Sequence, residues 1–150
     1  LPVITMEQFR EVNVGDLEGQ PTNKENWAMH DQIIADWFSG KHDSIFPGGE
    51  NYTMLLQRMN DGLRTIMIDN PDSNIIIVAH GGIITSTISD MCTNVDLSTL
   101  LQAENANCSI TEMKAELYNG RIVGELVLWA YHGHLHGEAA KLVAGHPNFE

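Results

Sequence analysis

Ile75-Ile76-Ile77-Val78-Ala79-His80-Gly81-Gly82 is the stretch on which the fold turns. The run from Ile75 to Ala79 is apolar throughout and mostly β-branched, so it has no polar face. A strand of that kind is expected to be covered on both sides, as in a parallel sheet flanked by helices. Two glycines follow, and the chain from Ile83 to about Met91 reads as a helix. Strand, tight turn and helix form the βα unit of an open α/β sheet, in which ligands gather at the carboxyl ends of the strands. His80 stands at that end. The backbone N–H groups of Gly81 and Gly82, backed by the positive end of the helix dipole, can hold an anion there. With no Cβ, they let a phosphate approach closely. A histidine that merely caps the strand end is the competing reading.

Upstream of this unit, Asn70-Pro71-Asp72-Ser73 is a turn. Before it, Asn51 is placed to cap a helix reaching about Ile68. Its apolar residues Tyr52, Leu55, Leu56, Met59, Leu63, Ile66 and Met67 recur at intervals that suit a helix. An earlier helix is expected after the capping-box pattern Thr22-Asn23-Lys24-Glu25, with Trp27, Ile33, Ile34, Trp37 and Phe38 on its apolar side and a stop near Gly40. Residues 1–22, punctuated by Gly15, Gly19 and Pro21, read as an irregular surface segment. Downstream, Ser109 to Leu117 and Arg121 to Trp129 read as two strands joined by a hairpin turn at Tyr118-Asn119-Gly120. From Ala130 onward the chain is a polar tail with four of the seven histidines. No repeat, low-complexity tract or linker divides residues 1–150, which are expected to form a single domain.

Composition narrows the function classes. The chain has 150 residues, 43% hydrophobic and 19% charged, which describes a globular protein with a real core. Eight Lys and Arg oppose twenty Asp and Glu, a formal net charge of -12. That balance argues against broad binding to nucleic acid or an anionic membrane. It leaves room for a small anionic substrate held by a few local donors. No apolar run approaches the ~20 residues of a membrane span. No signal peptide is visible, and the two cysteines, Cys92 and Cys108, make no disulfide framework. A cytoplasmic protein with two buried free thiols is the expectation.

Three further segments carry chemistry only when taken together. Phe9-Arg10-Glu11-Val12-Asn13-Val14-Gly15-Asp16-Leu17-Glu18-Gly19 offers the carboxylates Glu11 and Glu18. A carboxylate beside an anion site can pass a proton to a leaving oxygen. Alone, acidic residues in a glycine-containing loop are usually solvated. Phe46-Pro47-Gly48-Gly49-Glu50-Asn51 reads alone as a loop and a cap. Asn107-Cys108-Ser109-Ile110-Thr111 opens a late strand. In this order, and with the 75–82 stretch between the last two, the segments resemble the histidine phosphatase superfamily, also called phosphoglycerate mutase-like. The first resembles the family's segment with the acid/base glutamate. The second is similar to its Pro-Gly-Gly-Glu-Ser loop, with Asn51 in place of Ser. The 75–82 stretch is similar to the strand of its second catalytic histidine. The resemblance runs from about residue 6 to about residue 130.

The resemblance implies an α/β, three-layer sandwich with a mostly parallel sheet. It also implies phosphoryl transfer through two histidines, without a cofactor or metal. In the family, the histidine of an Arg-His-Gly motif attacks phosphorus and becomes a phosphohistidine. A glutamate protonates the leaving oxygen and then activates water, while the second histidine and two arginines neutralise the equatorial oxygens. Carried over, Glu11 is the proton donor and His80 the catalytic, phosphate-binding histidine. Gly81 N–H is an oxyanion donor, and Asn107 a supporting group. The implied partner is a small phosphorylated substrate, with homo-oligomerisation open.

No Arg-His-Gly occurs in residues 1–150. Arg10, Arg58, Arg64 and Arg121 do not fill the gap. The expectation is therefore a C-terminal portion of a family domain, incomplete at its N-terminus, with the nucleophilic histidine outside it. Such a chain would not turn over phosphate esters alone and would expose apolar sheet edges. Segment 20–46 is too generic to assign a mutase insert, so phosphatase is preferred to mutase. Two other classes remain: a non-catalytic protein of the same fold that binds an anion or partner through the His80 turn, and a metal site at His132-Gly133-His134-Leu135-His136. A solvated tail is the simpler reading of those last residues.

Overall fold

A computed structural model of the protein describes residues 2–102 and 105–141. Four α-helices run in chain order: α1 Lys24–Phe38, α2 Tyr52–Asp69, α3 Gly81–Met91 and the short α4 Leu97–Leu100. Strands β1 Ile110–Tyr118 and β2 Arg121–Tyr131 follow. Before α1 the chain makes two single 3-10 turns, Glu7–Phe9 and Gly15–Leu17.

Local chemistry accounts for the helix starts. Asn51 accepts a hydrogen bond from Met54 N–H at 2.9 Å and caps α2, as its sequence position predicts. At α1 the cap is Asn23, whose Oδ1 accepts from Asn26 N–H at 2.9 Å. The Thr22–Glu25 capping box is thus replaced by a simple Asn cap one residue later. The inner stripe of α2, Tyr52, Leu55, Met59 and Leu63, is buried, while Leu56, Ile66 and Met67 pack partly against the core. Gly62 lies on the same side because the Phe9 ring rests there. A Cβ at residue 62 would lie 2.8 Å from the ring. Trp37 is the buried residue of α1, set edge-on to Phe46 with centroids 5.4 Å apart. Its indole N–H donates to Ser44 O at 2.6 Å. The core runs from Phe9 and Val12 through these residues to Ile83, Ile88, Met91 and Ile122.

The hairpin turns on Asn119 and Gly120, with φ of +49° and +77°. Such a two-residue turn matches the twist of the antiparallel strands it joins. The pairing runs from Tyr118↔Arg121 to Met113↔Leu126 before a bulge at Glu112 shifts the register. Segment 92–94 follows one edge of β2. Thr93 N–H donates to Gly124 O at 2.9 Å, and the Asn94 amide both donates to Leu126 O and accepts from Leu126 N–H.

The stretch at 75–79 departs from expectation. Among the described residues the sheet is the antiparallel pair β1–β2, and 73–80 makes no ladder. Ile76 and Val78 are 84% and 92% exposed, and Ile75 and Ile77 are also exposed. A strand exists only through a neighbour's hydrogen bonds, and no described segment supplies them. The β-branched run therefore leads straight into α3 without a sheet around it, and the parallel three-layer arrangement is not seen among the described residues. No helix among them is long and apolar enough to cross a membrane.

Candidate active site

His80 is the N-cap of α3, with extended backbone (φ −111°, ψ 158°), and its side chain is exposed. The helix N-terminus behind it is already occupied. Gly82 N–H donates to Glu11 Oε2 at 3.1 Å, and Ile83 N–H donates to Glu11 Oε1 at 2.8 Å. Val12 N–H also donates to Oε1, at 2.8 Å. A carboxyl group 71 residues away in sequence thus accepts from two N–H groups that any helix start leaves open. Gly82 makes this approach feasible, since a Cβ there would lie 2.7 Å from Glu11 Oε1. Gly81 N–H makes no hydrogen bond among the described residues, and Gly81 is exposed. Glu11 and the His80 turn, read as separate candidates in the sequence, therefore converge. Glu18 lies exposed beyond the 3-10 turn.

The Pro-Gly-Gly-Glu loop belongs to the same assembly, because it is docked against the loop that follows Glu11. Asp16 N–H donates to Pro47 O at 2.7 Å, Glu50 N–H donates to Asn13 O at 3.0 Å, and Asn13 N–H donates to Glu50 Oε1 at 2.7 Å. The two loops approach so closely that a Cβ on Gly15, itself at φ +55°, would lie 2.1 Å from Pro47 O. Glu50 is 2% exposed and pairs with Arg58 at 2.7 Å. Burial pushes its carboxyl up. The Arg58 and Asn13 hydrogen bonds, with the Arg58 and Arg10 charges, outweigh burial and hold it below the ordinary glutamate range.

Asn107 sits exposed in the turn before β1. The side chain that reaches the His80 turn from this region is Asn105. Its Nδ2 donates to Thr85 Oγ1 at 3.0 Å and Gly81 O at 3.3 Å, and its Oδ1 accepts from Ser109 Oγ at 2.9 Å. The sequence carried a hint, since Asn105 stands two residues before the quoted motif and Ser109 lies within it. Nothing in the spacing alone says which asparagine points inward.

Other candidates stay apart from this centre. Cys92 is buried as expected, which raises its thiol pKa, but Cys108 is not: it sits exposed in the turn before β1. Among the described residues no group of three His, Cys, Asp or Glu side chains is placed to hold a metal ion. His132 Nδ1 lies 3.0 Å from Ala130 O, and the His134 ring lies against Tyr131 with centroids 5.8 Å apart. His146 lies outside the described residues.

Comparison with known proteins gives the family. The family model of the histidine phosphatase superfamily (branch 1) matches residues 1–126. An uncharacterized phosphatase, PhoE, from Bacillus subtilis (strain 168) is 28% identical over 91 residues, which cover 61% of this chain and 41% of the relative. A metal-independent phosphoserine phosphatase from Arabidopsis thaliana is 31% identical over 83 residues, 55% of this chain and 34% of the relative. The matched part is thus less than half the length of either curated relative. No solved structure matches the chain. With its matched span containing Glu11, the Pro-Gly-Gly-Glu loop and the His80 turn, the chain belongs to the histidine phosphatase superfamily (branch 1).

Proposed function

We propose that residues 1–150 are part of a metal-independent phosphatase that hydrolyses a small phosphorylated metabolite through a phosphohistidine. The observation that carries this reading is the Glu11 carboxylate seated on the N–H groups of Gly82 and Ile83, beside His80. A carboxyl group and an exposed histidine at one helix end support a proton-transferring role for the first and a phosphate-binding role for the second. Both curated relatives are named as phosphatases, which favours hydrolysis over a mutase reaction.

The residues take the following roles. His80 and Gly81 N–H hold the phosphoryl oxygens. A histidine outside residues 1–150 attacks phosphorus in line, forming the N–P bond as the bond to the leaving oxygen breaks. Glu11 gives that oxygen its proton. Glu11 then takes a proton from water, whose oxygen bonds to phosphorus as the N–P bond breaks. Histidine and inorganic phosphate are released. Segment 75–79 belongs, in this reading, to a mostly parallel sheet with helices on both faces. Its support is the uncovered β-branched run leading into His80.

The test is to quench the full-length polypeptide with acid-labile label retained, after mixing with a labelled phosphate ester. Label on a histidine outside residues 1–150, with residues 1–150 alone showing no turnover, is expected. Label on none, or turnover by residues 1–150 alone that His80→Ala abolishes, contradicts the proposal. The second reading is a non-catalytic anion-binding protein, favoured by the lack of Arg-His-Gly in these residues. It predicts saturable phosphate binding with no labelled histidine.

A further inference from the structure

We infer that Arg58 is a positioning residue for the proton donor, acting with Glu50 as a clamp that fixes the main chain on which Glu11 is carried. All five guanidinium N–H donors are used. Nε donates to Glu50 Oε2 at 2.9 Å, and Nη2 to Glu50 Oε1 at 2.7 Å. The remaining three donors go to loop carbonyls of residues 8, 10 and 11. Nη1 donates to Gln8 O and Arg10 O, each at 2.8 Å, and Nη2 to Glu11 O at 3.0 Å. One side chain from the middle of α2 thus gathers the carbonyls that bracket Glu11. Glu50 orients the guanidinium and also receives Asn13 N–H at 2.7 Å. The loop is held on both sides of Glu11, so its carboxylate meets α3 at a fixed height.

Arg58 touches neither Gly82 nor Ile83, so its action on them passes through Glu11. A planar fork is required. Lysine keeps the charge but has three donors on a single nitrogen and cannot serve two carboxylate oxygens and three carbonyls at once. That Glu11 donates a proton in catalysis rests on the function proposed above. That Arg58 positions Glu11 does not, and the experiment separates the two.

The measurement is the amide ¹H–¹⁵N shifts and hydrogen-exchange protection of Gly82 and Ile83 in residues 1–150, for wild type, Glu11→Gln, Arg58→Lys and Glu50→Gln. Arg58→Lys is expected to move both amides in the direction that Glu11→Gln moves them, and to lower Ile83 protection at least tenfold, with Thr87 and Met91 unshifted. Glu50→Gln, which keeps the side-chain shape, reads the same amides if Arg58→Lys loosens the whole fold. Unchanged Gly82 and Ile83 in either folded variant overturns the inference. In the full-length polypeptide, Arg58→Lys is expected to lower kcat by roughly 10²-fold with KM unchanged. A fall in kcat and rise in KM together, without the amide shifts, also overturns it. Amide shifts in a polypeptide that transfers no phosphoryl group uphold the clamp and reject the phosphatase reading alone.

Discussion

Glu11 is held by geometry that single substitutions can read. Gly82→Ala gains about 1 kcal/mol of helix propensity. It drives the carboxylate off two N–H groups, and hydrogen bonds to a charged group are worth about 1.5–3 kcal/mol each. The variant is expected to lose stability overall, by urea denaturation, together with exchange protection at Ile83. Unaltered protection would mean the carboxylate adapts to the added methyl. Glu50 gives a pH signature. Its carboxyl titrates lower in the folded chain than the ordinary value of 4.5. Its contribution is therefore complete above that value and lost as pH falls through the folded value. Stability is expected to fall on acidification below about pH 5. In Glu50→Gln, denaturation across the same range should give a flatter profile. At this scale the two segments that meet at α3 were separately legible, because a glycine turn after an apolar run and a carboxylate in a glycine-containing loop are both local signals. Arg58 was not. Its spacing makes it a surface residue of an amphipathic helix, and only the fold of the 8–13 loop over α2 shows what it binds.

Among the elements, those whose start and stop are written in local chemistry were legible. Helix α2 begins after Asn51 and keeps its buried stripe at intervals of three and four. The Asn119-Gly120 turn sets the β1–β2 register. Asn51→Ala is expected to cost about 0.5–2 kcal/mol, measured by denaturant unfolding. It should loosen the adjoining Pro-Gly-Gly-Glu loop more than α1. The 75–79 run was legible as apolar and β-branched, but not as to its partners. Composition says that a segment wants cover on both faces. It does not say which segment supplies it, since pairing is decided by distant parts of the chain.

On the scale of the whole molecule, an apolar run stands open. Ile75 to Val78 are exposed with no ladder partner among the described residues, and β2 exposes Val123 and Val127. Open edges of this kind recruit other strands. Residues 1–150 alone are expected to associate as concentration rises, and Ile76→Lys with Val78→Lys is expected to shift sedimentation toward the monomer. Equal association with and without those lysines would place the contact elsewhere. The net charge of -12 opposes association at low salt, so the effect should grow as salt screens it.

The central claim, that Glu11 is the proton donor of a phosphatase, is tested most directly by leaving-group dependence in the full-length polypeptide. An alkyl phosphate has a poor leaving oxygen that needs a proton. A nitrophenyl phosphate does not. Glu11→Gln is predicted to lower kcat/KM for the alkyl ester by roughly 10²–10⁴-fold and to leave the nitrophenyl ester far less affected. An equal loss on both esters, or none on either, would contradict the account.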